Sequence, residues 1–216
     1  MWSLLLGLAL ATEVTVPVDI GVGPAFLGIS GPVRQQRTWH TGLSLTLEAI
    51  VDRKTIRKFK NRIPKKYRDF ALRLDEVRIR PAWFLVPETV FLSPKGPADT
   101  GVYGASWHLL GISVPLSTKP FRLAPEVAIP LTWIHIQSDS LPSPTNVVRL
   151  GIQGRVDLEI PITKGLLVSG GWSSDVFAPQ PLGGGVFTFR PADEAVWHIG
   201  QAYAQLHVRI PVHADI

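Results

Sequence analysis

Four histidines, His40, His108, His135 and His198, fall in the same parts of the chain as Ser138, Asp139, Ser173, Ser174 and Asp175. Serine, histidine and a carboxylate are the parts of a nucleophilic hydrolase, but they act only when brought within hydrogen-bond reach of one another. No local motif here enforces that meeting, so no residue is assigned a catalytic role. The histidines could instead hold a metal, yet no two of these four are spaced i, i+2 or i, i+4. Those spacings would put two ligands on one face of a strand or helix. Cysteine is absent, which removes thiolate metal sites, disulfides and a thiol nucleophile. The Gly183–Gly185 run opens no helix and makes no phosphate loop. No metal or other cofactor is expected.

Charge supplies the second set of candidates. Asp19, Glu48, Arg78, Arg80, Arg122, Glu126, Arg149, Arg155, Asp157, Glu159 and Arg209 sit among alternating apolar residues. In VRLGIQGRVDLEIPI, Val148, Leu150, Ile152, Val156, Leu158, Ile160 and Ile162 take one parity, and Arg149, Gln153, Arg155, Asp157 and Glu159 take the other. Period two is the signature of a strand with two unlike faces. The pattern recurs along the chain and predicts eight strands of roughly 10–14 residues, against about 5–6 for ordinary globular strands.

Hydrophobic residues make up 45% of the 216-residue chain and charged ones 18%. No apolar run reaches the roughly 18 residues a membrane helix needs, whereas about 9–11 tilted strand residues cross a bilayer. The turns at Ser117–Pro120 and Thr163–Gly165 are short. The connections Gly28–Thr38, Pro94–Thr100, Gln137–Asn146 and Asp175–Val196 are long and rich in Pro, Gly, Asp and Ser. Short turns at one end and long loops at the other fit a barrel of the outer membrane. Trp39, Trp133 and Trp172 take the apolar parity at the long-loop ends, as an interfacial aromatic girdle would. Trp83 shares the parity. Trp107 and Trp197 share the level but not the parity, which a one-residue bulge would correct.

With the charged face inward, an eight-stranded barrel is just wide enough for its side chains to fill, so acids and arginines must pair across the lumen. Solute diffusion through such a lumen is not expected. The inverted reading, charged face out and apolar face in, describes a soluble periplasmic, lipocalin-like barrel binding an apolar ligand. Alternation alone is common to both.

In architecture, though in no local motif, the chain resembles the small eight-stranded outer-membrane barrels of bacteria, the OmpA/OmpX type. The likeness spans about Val14 to Val212. It implies an all-β, eight-stranded, antiparallel, up-and-down transmembrane β-barrel and says little of function; the chain as a whole reads as a non-enzymatic barrel with a structural, adhesive or assembly role. Its partner would be outer-membrane lipid, not nucleic acid. Some small barrels modify lipid A with a Ser/His/acid set at the outer rim, the enzymatic alternative, and His40, His108, His135 and His198 are all expected near that rim. Residues 1–11, MWSLLLGLALA, read as a secretory signal ending in an A-x-A site, with residues 12–216 as the barrel. The chain departs from the family in ending HVRIPVHADI, on Ile216 and not on an aromatic residue.

The other departure lies between strands two and three. The stretch DRKTIRKFKNRIPKKYRDFALRLDEVRIR, residues 52–80, holds twelve of the chain's 22 Lys and Arg. Ile56, Phe59, Ile63, Tyr67, Phe70 and Leu74 recur at helical spacing. The spacing predicts a helical insertion over residues 53–76, its main helix running from about Asn61, as N-cap, to Leu74. Arg57, Lys58, Lys65, Lys66 and Arg73, with Tyr67 and Phe70, would meet an anionic membrane surface or a periplasmic protein or peptidoglycan partner.

Overall fold

Alternation at period two commits each run to extended backbone, and long runs with one lipid-compatible face close on themselves rather than leave an edge. The computed structural model describes residues 14–31, 38–82, 85–96, 100–118, 120–139, 144–181 and 195–214. Ten strand segments follow in order: β1 Val14–Ile29, β2 His40–Asp52, β3 Glu76–Pro81, β4 Thr89–Ser93, β5 Gly101–Ser113, β6 Leu116–Thr118, β7 Phe121–Gln137, β8 Thr145–Pro161, β9 Leu166–Pro181 and β10 Ala195–Ala214. Neighbours pair antiparallel, and β1 pairs with β10 over Val14↔Ala214 to Ile29↔Ile199, which closes the barrel. β3 and β4 both lie between β2 and β5, forming one interrupted strand. β6 extends the β5 side along the start of β7, tightening the turn expected at Ser117–Pro120. The result is an eight-stranded barrel. The signal-like residues 1–11 lie outside the described residues.

The expected third strand was continuous through Leu85, and the structure corrects this. It breaks after Pro81 and resumes at Thr89. Proline lacks the N–H a ladder needs, and Pro81 and Pro87 bracket the break. Ala49 to Ser44 on β2 faces Ile79 to Thr89. Leu85, within the surplus, is 97% exposed. The ladder recovers at Glu88, whose N–H donates to the Ser106 carbonyl and whose carbonyl accepts from Leu45, each at 2.7 Å. Trp83 lies outside the described residues.

Burial settles the orientation of the faces. Asp19, Glu48, Arg78, Arg80, Glu126, Arg155, Asp157 and Glu159 are buried inside, while Ile20, Val22, Val127, Leu150, Ile152, Leu158 and Val208 are exposed outside. The inverted, soluble reading is thereby overturned: an apolar band of this extent is a surface for lipid.

The lumen is tiered. Toward the long loops, Leu27, Ile29, Phe91, Val102, Ile134, Ile136, Val147, Phe177 and Ile199 form an apolar plug. Most of the charges occupy the other half, toward the insertion and the chain termini.

Candidate functional site: a charged lumen between two rims

β2, β3, β7, β8 and β10 each turn every second residue inward, so their charged parities converge. Arg78 on β3 donates from Nε and Nη2 to Glu76 at 2.9 and 2.8 Å, and from Nη2 to Glu159 at 2.7 Å. Its Nη1 also meets Glu159 and lies 3.4 Å from Glu48. Arg80, one tier deeper, donates from Nε to Glu48 at 2.7 Å and also meets it through Nη2. Glu88 lies 2.9 Å and Glu126 3.0 Å from the same guanidinium. Arg155 holds Asp157 at 2.8 Å and stacks on Tyr203 with Cζ 4.3 Å from the ring centroid. The Tyr203 hydroxyl donates to Asp157 at 2.5 Å. Pairing of this density is what burial of charge demands.

The remaining charged candidates lie away from this centre. Arg122 and Arg209 stand at the insertion-end mouth, where both approach Glu76. Arg149 lies nearer the long loops, in register with Thr132, and its Nη1 donates to the Val148 carbonyl at 2.8 Å.

Sequence reasoning missed Glu88, which follows Pro87 in what reads as a loop, and it misplaced His108. That histidine is inside the lumen, its Nδ1 3.8 Å from Glu88 and 3.7 Å from Glu126, and not at the outer rim. It also missed Ser169–His207–Asp19, in which Ser169 Oγ lies 2.8 Å from Nε2 and Asp19 2.9 Å from Nδ1. The order is that of nucleophile, base and acid, but Ser169 is only 2% exposed and Asp19 also faces Arg209. Here the trio braces β1, β9 and β10.

Among the described residues the outer-rim candidates form no Ser/His/acid set, although Ser174 and His198 meet. His40 is buried, its Nδ1 3.2 Å from Ser93. His135 bonds Asn146 at 3.1 Å and His198 bonds Ser174 at 2.8 Å. Asp175 turns inward to accept from Gln153 at 2.7 Å, Ser173 is buried, Ser138 accepts from Thr100 at 3.4 Å, and Asp139 meets Lys95. Among the described residues no three His, Asp or Glu side chains group to hold a metal.

Around the same rim Trp39, Trp133 and Trp172 face outward and are roughly half exposed. Trp39 and Trp172 pack edge to face at 6.4 Å. A register shift between His108 and Leu110 turns Trp107 to the outer face. A second, between Val196 and His198, leaves Trp197 half-buried beside the His198 ring at 5.5 Å. The extra residue of a bulge reverses parity without changing composition.

At the opposite rim the insertion is α1 Arg53–Lys58, a 3-10 turn Lys60–Arg62, and α2 Lys65–Ala71. The single helix expected from Asn61 is corrected. Pro64 forces Ile63 into extended backbone (φ −79°, ψ 128°) and itself becomes the N-cap of α2. Asp52 caps α1, accepting from the Thr55 N–H at 2.8 Å. That bond holds its carboxyl below the usual aspartate range. Ile56 is buried, but Tyr67 and Phe70 are 55% and 64% exposed. Lys65, Lys66 and Arg73 are exposed around them, with Arg57 and Lys58 exposed on α1.

No protein-family model matches the sequence, and no curated protein matches it. Solved structures do. Neisserial surface protein A superposes with a TM-score of 0.50 at 11% identity, covering 89% of this chain and 97% of that one. Ail, the attachment invasion locus protein of Yersinia pestis, aligns with a TM-score of 0.46 at 7% identity, covering 91% and 100%. The fold is that of a small outer-membrane barrel. The apolar outer band and the end with short turns are those of such a barrel.

Proposed function

We propose that the protein is a non-enzymatic barrel of the bacterial outer membrane, a sealed anchor with a structural, adhesive or assembly role. Its long loops face outward and its basic insertion docks on the anionic inner leaflet. Residues 1–11 are removed as a signal on export. Full burial of the ion-paired lumen beneath an apolar plug supports a sealed body over a conduit.

One observation carries the docking: Tyr67 and Phe70 are exposed beside Lys65 and Lys66. In water, two exposed aromatics on a short helix gain little. At a headgroup layer they bury apolar area, and each nearby Lys or Arg adds about 1 kcal/mol.

The test is amide hydrogen exchange of the barrel in bilayers of phosphatidylethanolamine, with and without phosphatidylglycerol. Protection of residues 62–73 should rise with phosphatidylglycerol and fall back in a K65Q/K66Q/F70S variant. Equal exchange in both bilayers would sink the docking.

A further inference from the structure

The insertion-end mouth of the lumen holds a cavity of about 350 Å³ between the start of β7, the β8–β9 turn and the end of β10. Arg122, Thr163, Lys164 and Arg209 line it, together with Pro161 and Leu167. The turn is fixed against β10. Its Gly165 carbonyl accepts the Arg209 N–H at 2.9 Å, and Thr163 Oγ1 accepts the Gly165 N–H at 3.3 Å. Lys164 is thus held at the tip, exposed.

The cations here are poorly neutralised. Among the described residues Glu76 is the carboxylate shared by Arg122, at 3.7 Å, and Arg209, at 3.5 Å. Its Oε1, the oxygen nearest Arg122, is already held by Arg78 at 2.8 Å, and its Oε2 accepts from Arg209 at 3.5 Å. Asp19 meets His207 through Oδ1 at 2.9 Å and presents its other oxygen, Oδ2, 3.5 Å from Arg209 Nη2, beyond a close charge-assisted bond. Charge-assisted pairs close to about 2.7–2.9 Å when geometry allows. Arg122 therefore stands off an oxygen committed to Arg78, and Arg209 reaches its two carboxylates at 3.5 Å each. Arg209 Nη2 has no hydrogen-bond partner among the described residues. Two under-used guanidinium groups, a lysine and a hydroxyl around a cavity of this size are the parts of an anion site.

We propose that the mouth binds a phosphate group, held by Arg122 and Arg209 with Lys164 closing over it. The inference stands on the lumen geometry and does not need the insertion to dock. The phosphate could be free or the headgroup of a phospholipid of the facing leaflet, and the two sources are separable by experiment.

The full chain, folded in an uncharged detergent, is titrated by calorimetry with inorganic phosphate against chloride at matched ionic strength. A second arm uses dihexanoylphosphatidylglycerol below its micelle concentration. Saturable one-site binding is expected in at least one arm. Saturation in both means the phosphate itself is read, and saturation in the lipid arm alone makes the headgroup the ligand. R122Q and K164Q should each weaken binding about tenfold or more, the loss expected for a charged hydrogen-bond donor. K164Q alters an exposed turn residue, so it keeps the test valid should R122Q fail to fold. K65Q/K66Q, which removes charge from the insertion, should bind as the unmodified protein does, separating this site from the docking reading. No saturation in either arm, or K164Q and R122Q binding unchanged, would overturn the proposal.

Discussion

Arg80 is the residue on which the lumen's charge balance turns, and Arg80→Met tests it. The guanidinium is 2% exposed and faces Glu48, Glu88 and Glu126. At 3 Å and an effective dielectric near 20, each contact is worth about 5–6 kcal/mol gross. Much of that is offset by the several kcal/mol needed to desolvate each ion. Deleting one partner of a buried pair and stranding the others costs about 3–5 kcal/mol, a large part of the roughly 5–15 kcal/mol by which proteins are stable. Glu126 suffers most, because its next cation is Arg155 at 3.9 Å.

A double-mutant cycle isolates that loss. Urea unfolding in detergent is followed by tryptophan fluorescence and checked by the mobility of unboiled samples on SDS gels. R80M should lose about 3–5 kcal/mol. E126Q alone should lose less, and R80M/E126Q should recover about 1–3 kcal/mol relative to the sum of the two. An R80M loss below about 1 kcal/mol, of the size seen for solvent-exposed pairs, would mean that water screens the lumen. Strict additivity would mean that Arg80 and Glu126 do not interact. Either result would refute the dry, ion-paired interior.

Two further perturbations test single contacts. A Cβ on Gly21 would lie 2.6–3.0 Å from the His207 ring, so Gly21→Ala should displace the imidazole from Ser169 and Asp19. The expected cost is about 1–3 kcal/mol, read in the same urea titration; an unchanged midpoint would show that the ring is not held there. The carboxyl of Asp52 titrates below the usual aspartate range because Thr55 donates to its charged form. Its capping of α1 is therefore complete above about pH 4 and lost as the pH falls through the lowered value. Exchange of the α1 amides should speed up over that acid window in the unmodified protein and be pH-insensitive there in D52N, apart from the intrinsic chemical rate.

The strands were legible because a barrel wall between lipid and lumen writes its two faces directly into alternating residues. Val156, Leu158 and Ile160 against Arg155, Asp157 and Glu159 on β8 can be placed in no other regular element. Bulges were less legible, since the shift at His108/Leu110 adds one residue and leaves composition untouched. Strict alternation turns Trp107 inward, which a one-residue bulge corrects, and it draws His108 out of the lumen. The prolines of PAWFLVP did carry a signal, but five alternating positions from Val77 to Leu85 spoke for continuous strand, and the missing N–H groups overruled them.

The apolar plug was hidden for a different reason. On β1, Phe26 faces out while Ala25 and Leu27 face in, and on β7 Trp133 faces out while Ile134 faces in. Where both faces are apolar, periodicity carries no information about which is which. The charged half announces the lumen, and its closure at the long-loop end emerges only from strand register. That division has a physical consequence. Buried ions need partners at fixed distances, so the charged half sets register across β2, β3, β7 and β8, whereas the apolar half tolerates exchange of similar volumes. Substitutions such as Ile134→Leu should therefore be absorbed where Glu126→Gln is felt, although the two positions lie on the same face of the same strand.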